Sequence, residues 1–394
     1  MGLMTVTEIA RRAKETALKL QSLSEDQRVK ALHALGHALE KNSARILEAN
    51  AKDLADTKKN KLTPAMVDRL TLTEKSVKDL KVMCDQIASQ PRVVGQIIEE
   101  VTRPNGLRIQ KQRIPIGVIG MIFESRPNVV IDGAALAIKS GNAIILKGGK
   151  EAQFSNRALM DVIDESVKGI LPEGSVSLIE TREDVAELLK LNQFIDLMVP
   201  RGGSALIEHV RKNATMPVVA HDKGLCHIYV HKDADVNRVI PIVINAKVSR
   251  PGVCNAVETL LLHKDYPEKE KVIEALKGEG VEIREDYDTE YLDKIISLKI
   301  VEDETEAIAH IQKHGSHHTE AILAKDYKVI ELFRNSLDAS AIVVNASTRF
   351  NDGGELGLGA ELGISTSKLH AYGPMGAKEM TTTRFLVTGN GQIR

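Results

Sequence analysis

From residue 116 onward the chain alternates short apolar runs with helical stretches, and this alternation limits its fold more than any other feature. Residues 116–123, 143–147, 176–179 and 195–199 read as strands, while 129–140, 155–167, 183–189 and a stretch opening at Ser204 carry helical periodicity. Gly141-Asn142 closes the first of these helices. A strand–helix–strand unit of this length accommodates a right-handed crossover between parallel strands. Its repetition predicts a doubly wound α/β domain. A strand at 226–230 follows, and the alternation then repeats: helix 236–246, strand 258–263, helix 268–277, strand 281–283, helix 304–313, strand 320–324, helix 327–335 and strand 340–345. A second α/β domain is therefore expected from about His231.

The first part of the chain is helical. Ile9, Ala13, Ala17 and Leu20 fall near one face of a first amphipathic helix. Ser24-Glu25-Asp26-Gln27 has the form of a capping box, opening a longer second helix with Val29, Leu32, Leu35, Leu39 and Ile46 inward. Thr73 is placed to cap a third helix over 74–87. Residues 94–101 and 108–113 read as a hairpin about Pro104-Asn105-Gly106, with charge on one face, and 382–387 reads as a final strand. Such a hairpin is expected to project and pair with something.

Composition narrows the class of function. With 43% hydrophobic and 27% charged residues over 394, the chain can bury a large core without disulfides. A formal net charge of -1 gives no strong attraction to nucleic acid or anionic membrane, and the one basic stretch, Lys58-Lys59-Asn60-Lys61, breaks off at once. No apolar run approaches the ~20 residues of a membrane span, and the N-terminal stretch lacks the apolar block of a signal peptide. Cys84, Cys226 and Cys254 are odd in number and irregular in spacing, neither a disulfide framework nor a zinc pattern. A soluble cytoplasmic protein is expected.

The first candidate for chemistry is Arg250-Pro251-Gly252-Val253-Cys254-Asn255. A cysteine on a Pro-Gly loop between helix and strand has backbone N–H groups at hand to stabilise a thiolate or an oxyanion. On residues alone it is as readily a small buried hydrophobe. Cys84 and Cys226 read as structural. Ser249 and His221 lack the Gly-x-Ser-x-Gly elbow of a serine hydrolase. His314, His317 and His318 have metal-like spacing but no companion Cys or carboxylate, and no metal is expected. Lys147-Gly148-Gly149-Lys150 follows a strand, but Glu151 stands where a Walker loop needs Ser or Thr. The stretch 357–363, Gly-Leu-Gly-Ala-Glu-Leu-Gly, has one residue too many for the dinucleotide fingerprint and no preceding strand. Gly202-Gly203, ahead of a helix, is better placed to meet phosphate.

Taken together, several blocks resemble the aldehyde dehydrogenase superfamily and, within it, closely the γ-glutamyl phosphate reductases. They are residues 114–120 (Ile-Pro-Ile-Gly-Val-Ile-Gly), 123–129 (Phe-Glu-Ser-Arg-Pro-Asn-Val), 139–143 (Lys-Ser-Gly-Asn-Ala) and 200–203 (Pro-Arg-Gly-Gly). Further on are 224–227 (Gly-Leu-Cys-His), 250–255, 344–350 (Val-Asn-Ala-Ser-Thr-Arg-Phe), 357–361 and 364–366. The resemblance covers nearly the whole chain. It departs at Tyr372, where the family usually has Arg, at Lys150, where it often has Ser, and after about Gly280, where this chain is shorter.

The resemblance implies an aldehyde-dehydrogenase-like fold of two doubly wound α/β domains with a small β-hairpin oligomerisation flap. It implies a cofactor domain at 1–93 and 115–230, a catalytic domain at 231–370, and a flap at 94–114 and 382–394. The implied activity is reduction of γ-glutamyl phosphate to glutamate 5-semialdehyde with NADPH, the second step of proline biosynthesis. Cys254 is then the nucleophile, with Arg126 or Asn128 completing the oxyanion site. Lys147, Gly202, Gly203 and Glu290 hold NADP, with Lys150 near a 2′-phosphate, and Arg250, Ser347 and Arg349 bind substrate. The water-activating Glu of hydrolytic relatives is missing from 221–224 (His-Asp-Lys-Gly). The flap implies a homodimer, and the labile acyl phosphate is expected from a separate glutamate 5-kinase by transient contact.

Overall fold

Caps set the helical N-terminal region. The computed structural model describes residues 4–57, 62–220 and 223–394, so Lys58-Lys59-Asn60-Lys61 and His221 lie outside the described residues. Helix α1 (Val6–Gln21) opens on a Thr5/Glu8 capping box and α2 (Glu25–Lys41) on the expected Ser24/Gln27 box. The long second helix breaks at Asn42, and α3 (Ser43–Ala55) starts anew. Asn42 is the C-cap of α2: both its backbone N–H and its Nδ2 donate to the Ala38 carbonyl, the latter at 2.8 Å. A short α4 (Pro64–Leu70), with Thr63 as cap and Pro at the first position, was not anticipated. Thr73 caps α5 (Glu74–Ser89) as expected.

The chain then forms β1 (Ile97–Thr102), β2 (Arg108–Pro115), β3 (Val118–Phe123), α6 (Val129–Ser140), β4 (Ala143–Lys147), α7 (Gln153–Val167), β5 (Val176–Ile179), α8 (Arg182–Leu188), β6 (Leu197–Arg201) and α9 (Ser204–Asn213). Gly141 ends α6 in the left-handed region, at φ 73°. Strands β3 to β6 pair in parallel in the order β5-β4-β3-β6. Every residue of β3 and β4 is buried, as a sheet covered on both faces requires. The chain steps from β3 through β4 to β5, then returns to place β6 on the far side of β3. The order therefore reverses between β3 and β6.

The second alternation gives β7 (Cys226–Val230), α10 (Val236–Val248), β8 (Val257–His263), α11 (Lys269–Gly278), β9 (Glu282–Arg284), β10 (Ile295–Val301), α12 (Glu304–His314), β11 (Thr319–Leu323), α13 (Tyr327–Ser336) and β12 (Ala341–Val344). These strands form one parallel sheet, β12-β11-β7-β8-β10-β9. The β10 strand escaped the sequence reading. Side chains alternate across the sheet with period 2. Ile228, Val230, Leu260 and Leu262 pack with Val239, Val243, Val272 and Leu276 on one face. Tyr229, Leu261 and Ile322 pack with Ile308, Ile311, Val329 and Phe333 on the other. Two short strands, β13 (Ile364–Ser365) and β14 (Gly373–Pro374), pair with each other.

The last strand, β15 (Thr381–Thr388), pairs antiparallel with β2, giving a three-stranded sheet β1-β2-β15. Two compact units result: residues 1–219, 357–363 and 375–394, and residues 220–356 and 364–374. The expected boundary at 230/231 moves upstream because β7 hydrogen-bonds to β8 and β11 and so belongs to the second sheet. The three-stranded sheet groups with the first unit. Among the described residues no helix is long and apolar enough to cross a membrane.

Candidate active site

In the first unit, the turns after the parallel strands carry the candidate residues. At the order reversal between β3 and β6 an open α/β sheet leaves a crevice for ligands. Ser125, just after β3, takes a left-handed backbone (φ 47°) and donates both its N–H and Oγ to Glu151, at 2.7 and 2.8 Å. Beyond β6, Gly203 serves as N-cap of α9, and no side chain caps that helix. The Gly203 N–H donates to Glu124 at 3.1 Å. A Cβ on Gly203 would meet nothing within 4 Å, so there is room beside this N-terminus, where the Glu124 carboxylate accepts from the Gly203 N–H. Lys147 ends β4 and is buried. A Cβ on the following Gly148 would lie 2.1 Å from Asn156 Nδ2, so a larger residue there would have to displace the Asn156 side chain.

Asn128 Nδ2 donates to Asp132 at 2.9 Å. Burial pushes the Asp132 carboxyl up to about 7, against the pull of the Arg201 guanidinium and the Asn128 bond. Arg201 in turn donates to Glu361 at 3.2 and 3.3 Å. The glycine-rich stretch 357–363, with Gly357 and Gly359 at φ 79° and 74°, is thus a turn that delivers Glu361 to Arg201.

In the second unit, Cys254 sits half-buried on the loop between α10 and β8. Below it Gly224 packs so closely that a Cβ there would come 2.1 Å from the Cys254 carbonyl oxygen and 2.7 Å from its Cα. Asn255 anchors the loop: its Nδ2 donates to the Asn351 carbonyl at 3.0 Å, and its own carbonyl accepts from Thr348 Oγ1 at 2.7 Å. These bonds bring the segment carrying Ser347 and Arg349 against the cysteine loop. Burial lowers the Arg349 pKa, Arg250 adds to the lowering, and Asp352 and Cys254 oppose it. Cys254, Arg250 and Arg349 therefore share one electrostatic neighbourhood. Arg349 Nε is buried without a hydrogen-bond partner, and Ser347 is spent capping a short 3-10 turn. Glu290 accepts from the Gly224 N–H at 2.9 Å.

The aldehyde dehydrogenase family model matches residues 2–286. The γ-glutamyl phosphate reductase of Carboxydothermus hydrogenoformans is 48% identical, with 99% of each chain covered, and that of Nautilia profundicola 47% identical, with 98% of this chain and 99% of that one covered. The crystal structure of the Thermotoga maritima γ-glutamyl phosphate reductase superposes with a TM-score of 0.93 at 40% identity, covering 99% of this chain and 100% of that one. The chain belongs to the γ-glutamyl phosphate reductases of the aldehyde dehydrogenase family.

For a γ-glutamyl phosphate reductase the expected residues divide by unit. Arg126, Asn128, Lys147, Gly202 and Gly203 belong to the first, and Arg250, Cys254, Glu290, Ser347 and Arg349 to the second. Tyr372, at the family's usual Arg, donates to Asp338 at 3.1 Å and lies under the Lys368 ammonium, 5.9 Å from its ring centroid. The three histidines with metal-like spacing diverge: His314 bonds Asp288, His317 bonds the Asp338 carbonyl, and His318 lies 3.5 Å from Cys226. Sequence reasoning passed over Glu361, which only the folded turn brings to Arg201. It also passed over the buried pair Lys247–Glu258, 2.9 Å apart, whose spacing of 11 residues joins a helix to a strand and has no local signature.

Proposed function

We propose that this chain reduces L-glutamyl 5-phosphate to L-glutamate 5-semialdehyde with NADPH, releasing phosphate, through a thioacyl group on Cys254. The observation that carries this reading is the half-buried thiol beside two guanidinium groups, one with a buried, unpartnered Nε. An arginine fork suits the carboxylate and phosphate of such a substrate. The Cys254 sulfur attacks the acyl carbon, a C–S bond forms, and the C–O bond to phosphate breaks. Nearby cations favour the thiolate and the departing anion alike. The Cys254 N–H is assigned to hold the developing oxyanion, with Asn128 proposed as its side-chain donor. Its amide spends one N–H on Asp132 and carries a second. Arg126 neighbours Asp132 electrostatically and is assigned to the same turn.

The α9 N-terminus with Gly202 and Gly203 would hold the dinucleotide pyrophosphate, Lys147 the adenosine ribose and Glu290 the nicotinamide ribose. The open Cβ position of Gly203 leaves room for a phosphate there, in place of the Glu124 carboxylate that accepts from its N–H. The chemistry a bound nicotinamide would supply is hydride donation to the thioacyl carbon. No glutamate stands in 221–224 to activate water, which protects the thioester from hydrolysis. We assign homodimer formation to the β1-β2-β15 sheet, where Val101, Phe385 and Val387 are 50%, 67% and 58% exposed. The protein acts in the cytoplasm on acyl phosphate made by a separate glutamate 5-kinase.

The test is the reverse reaction: NADP reduction with glutamate 5-semialdehyde, with and without phosphate, for wild type and Cys254→Ala. Phosphate-dependent turnover that the variant loses by about 10³-fold or more is expected. Phosphate-independent turnover would move the chain to the hydrolytic aldehyde dehydrogenases. No turnover from folded wild type would leave it a binding or scaffold protein.

A further inference from the structure

We propose that Cys226 is a resolving thiol for Cys254: once Cys254 is oxidised, the two close into an intramolecular disulfide that peroxide sets and a dithiol releases. This rests on the reading of Cys254 as the reactive nucleophile. Cys226 opens β7 and has no solvent exposure. A buried cysteine ordinarily packs among apolar groups, but this one is set in polar company. Its Sγ donates to the carbonyl oxygen of Cys254 itself at 3.1 Å and lies 3.5 Å from His318 Nδ1. The β7–β8 register shifts between Cys226 and His227, so the strand is irregular where the thiol sits. Gly224, close upstream, brings its backbone against the Cys254 Cα. Of the two cysteines Cys226 is fully buried, while Cys254 is partly exposed on its loop. The Cys226 thiol meets the Cys254 residue at the backbone carbonyl.

The chemistry balances. The Cys254 thiolate attacks hydrogen peroxide, forming an S–O bond as the O–O bond breaks and hydroxide leaves, so sulfur is oxidised and peroxide reduced. Cys226 then attacks the sulfenic sulfur. An S–S bond forms, the S–OH bond breaks, and the Cys226 proton passes by way of His318 Nδ1 to the departing hydroxide. Two thiols and one peroxide give one disulfide and two waters. The bridge withholds the nucleophile from turnover and shields it from the irreversible sulfinic state. Cys84, fully buried in α5 with its thiol pushed up to about 12 by burial, takes no part.

The experiment treats the whole protein with a small excess of hydrogen peroxide. Turnover is measured before and after dithiothreitol, and non-reduced peptides are mapped by mass. We expect lost activity that dithiothreitol returns, with a Cys226–Cys254 linked peptide lighter by two hydrogens. Cys226→Ser keeps a donor to the Cys254 carbonyl and is expected to turn over before treatment. After treatment it should lose the recoverable activity and accumulate Cys254 sulfinic acid. No linked peptide in wild type overturns the proposal, and that result stands even if the variant does not fold. Equal recovery in the folded variant overturns it too. Unoxidised Cys254→Ala separates the two readings: retained turnover there would remove the nucleophile assignment, whereas lost turnover without a disulfide would remove only the resolving thiol.

Discussion

The two parallel sheets arise from the same strand–helix alternation, yet they carry their candidate chemistry at opposite edges. In the four-stranded sheet it follows the strands: Ser125 to Asn128 after β3, Lys147 at the end of β4, Gly202-Gly203 after β6. In the six-stranded sheet it precedes them: Cys226 opens β7, Cys254 comes just before β8, Glu290 before β10 and His318 before β11. The general rule for open α/β sheets anticipates the first edge and not the second. What differs is the kind of group required. The first edge offers glycines and backbone N–H groups, those of Ser125 and Gly203 held by Glu151 and Glu124, which a strand-to-helix turn supplies by itself. The second offers a thiol and guanidinium groups, which need side chains fixed from below. Its underside is accordingly polar, with Lys247–Glu258 at 2.9 Å and His227–Glu320 at 2.9 Å.

If that polar support holds the second edge, removing half of it should be costly. Burial pushes Glu258 up to about 7 and Lys247 down, and each opposes the other's shift as a charged partner. Lys247→Met leaves a buried carboxylate without its cation and should lower stability by about 3–5 kcal/mol, while adding Glu258→Leu should restore most of it. Denaturant unfolding of the two variants checks this. A single variant costing under ~1 kcal/mol would break the comparison at its base.

Gly224→Ala attacks the same edge through packing. The added methyl meets backbone atoms of Cys254, which cannot swing aside as a side-chain tip would. A nucleophile displaced by about 1 Å costs ~10²-fold in rate. The expected result is a kcat loss of that order with KM little changed. Normal kcat would show that the loop is not held from below.

The first edge has one buried acid whose titration tells it apart. Asp132 ionises near 3.8 when exposed and at about 7 in the folded chain. Between those values the folded state binds the extra proton, so stability from this group is full at the acid end and is lost as pH rises through about 7. Asp132→Asn should remove that slope, a difference on the order of a few kcal/mol between acid and neutral pH. Urea midpoints for both proteins at about pH 5 and pH 8 measure it. Parallel pH profiles would mean that Asp132 stays ionised beside Arg201.

Period and punctuation made most of this architecture legible in the sequence. The caps at Ser24 and Thr73, the stop at Gly141 and the strands at 143–147, 176–179 and 226–230 follow from local rules. Asn42 was opaque because its amide caps the Ala38 carbonyl only once the helix exists. The β10 strand was hidden because Ser297 and Lys299 interrupt its apolar pattern and a charged segment leads into it. Cys254 was proposed from its loop and its resemblance, but Cys226 could not be told from an ordinary core cysteine. Only the fold lays it against the Cys254 carbonyl.

Gly203→Ala gives the smallest effect and the cleanest reading of the first edge. Gly203 has φ −68°, which any residue adopts, and a methyl there touches nothing within 4 Å. Folding gives no reason for glycine at this position, so unchanged thermal stability is expected. A ligand does give one, because a pyrophosphate drawn onto the α9 N-terminus approaches the backbone where the methyl would stand. The expected result is a rise of roughly 3–10-fold in the KM for NADP with kcat preserved. Gly202→Ala is the contrast: its methyl meets Glu124 Oε2 at 2.3 Å and Leu206 Cδ2 at 2.7 Å, so it should perturb the turn even without cofactor. Equal KM for wild type and Gly203→Ala would place the pyrophosphate elsewhere and leave the first edge without its ligand.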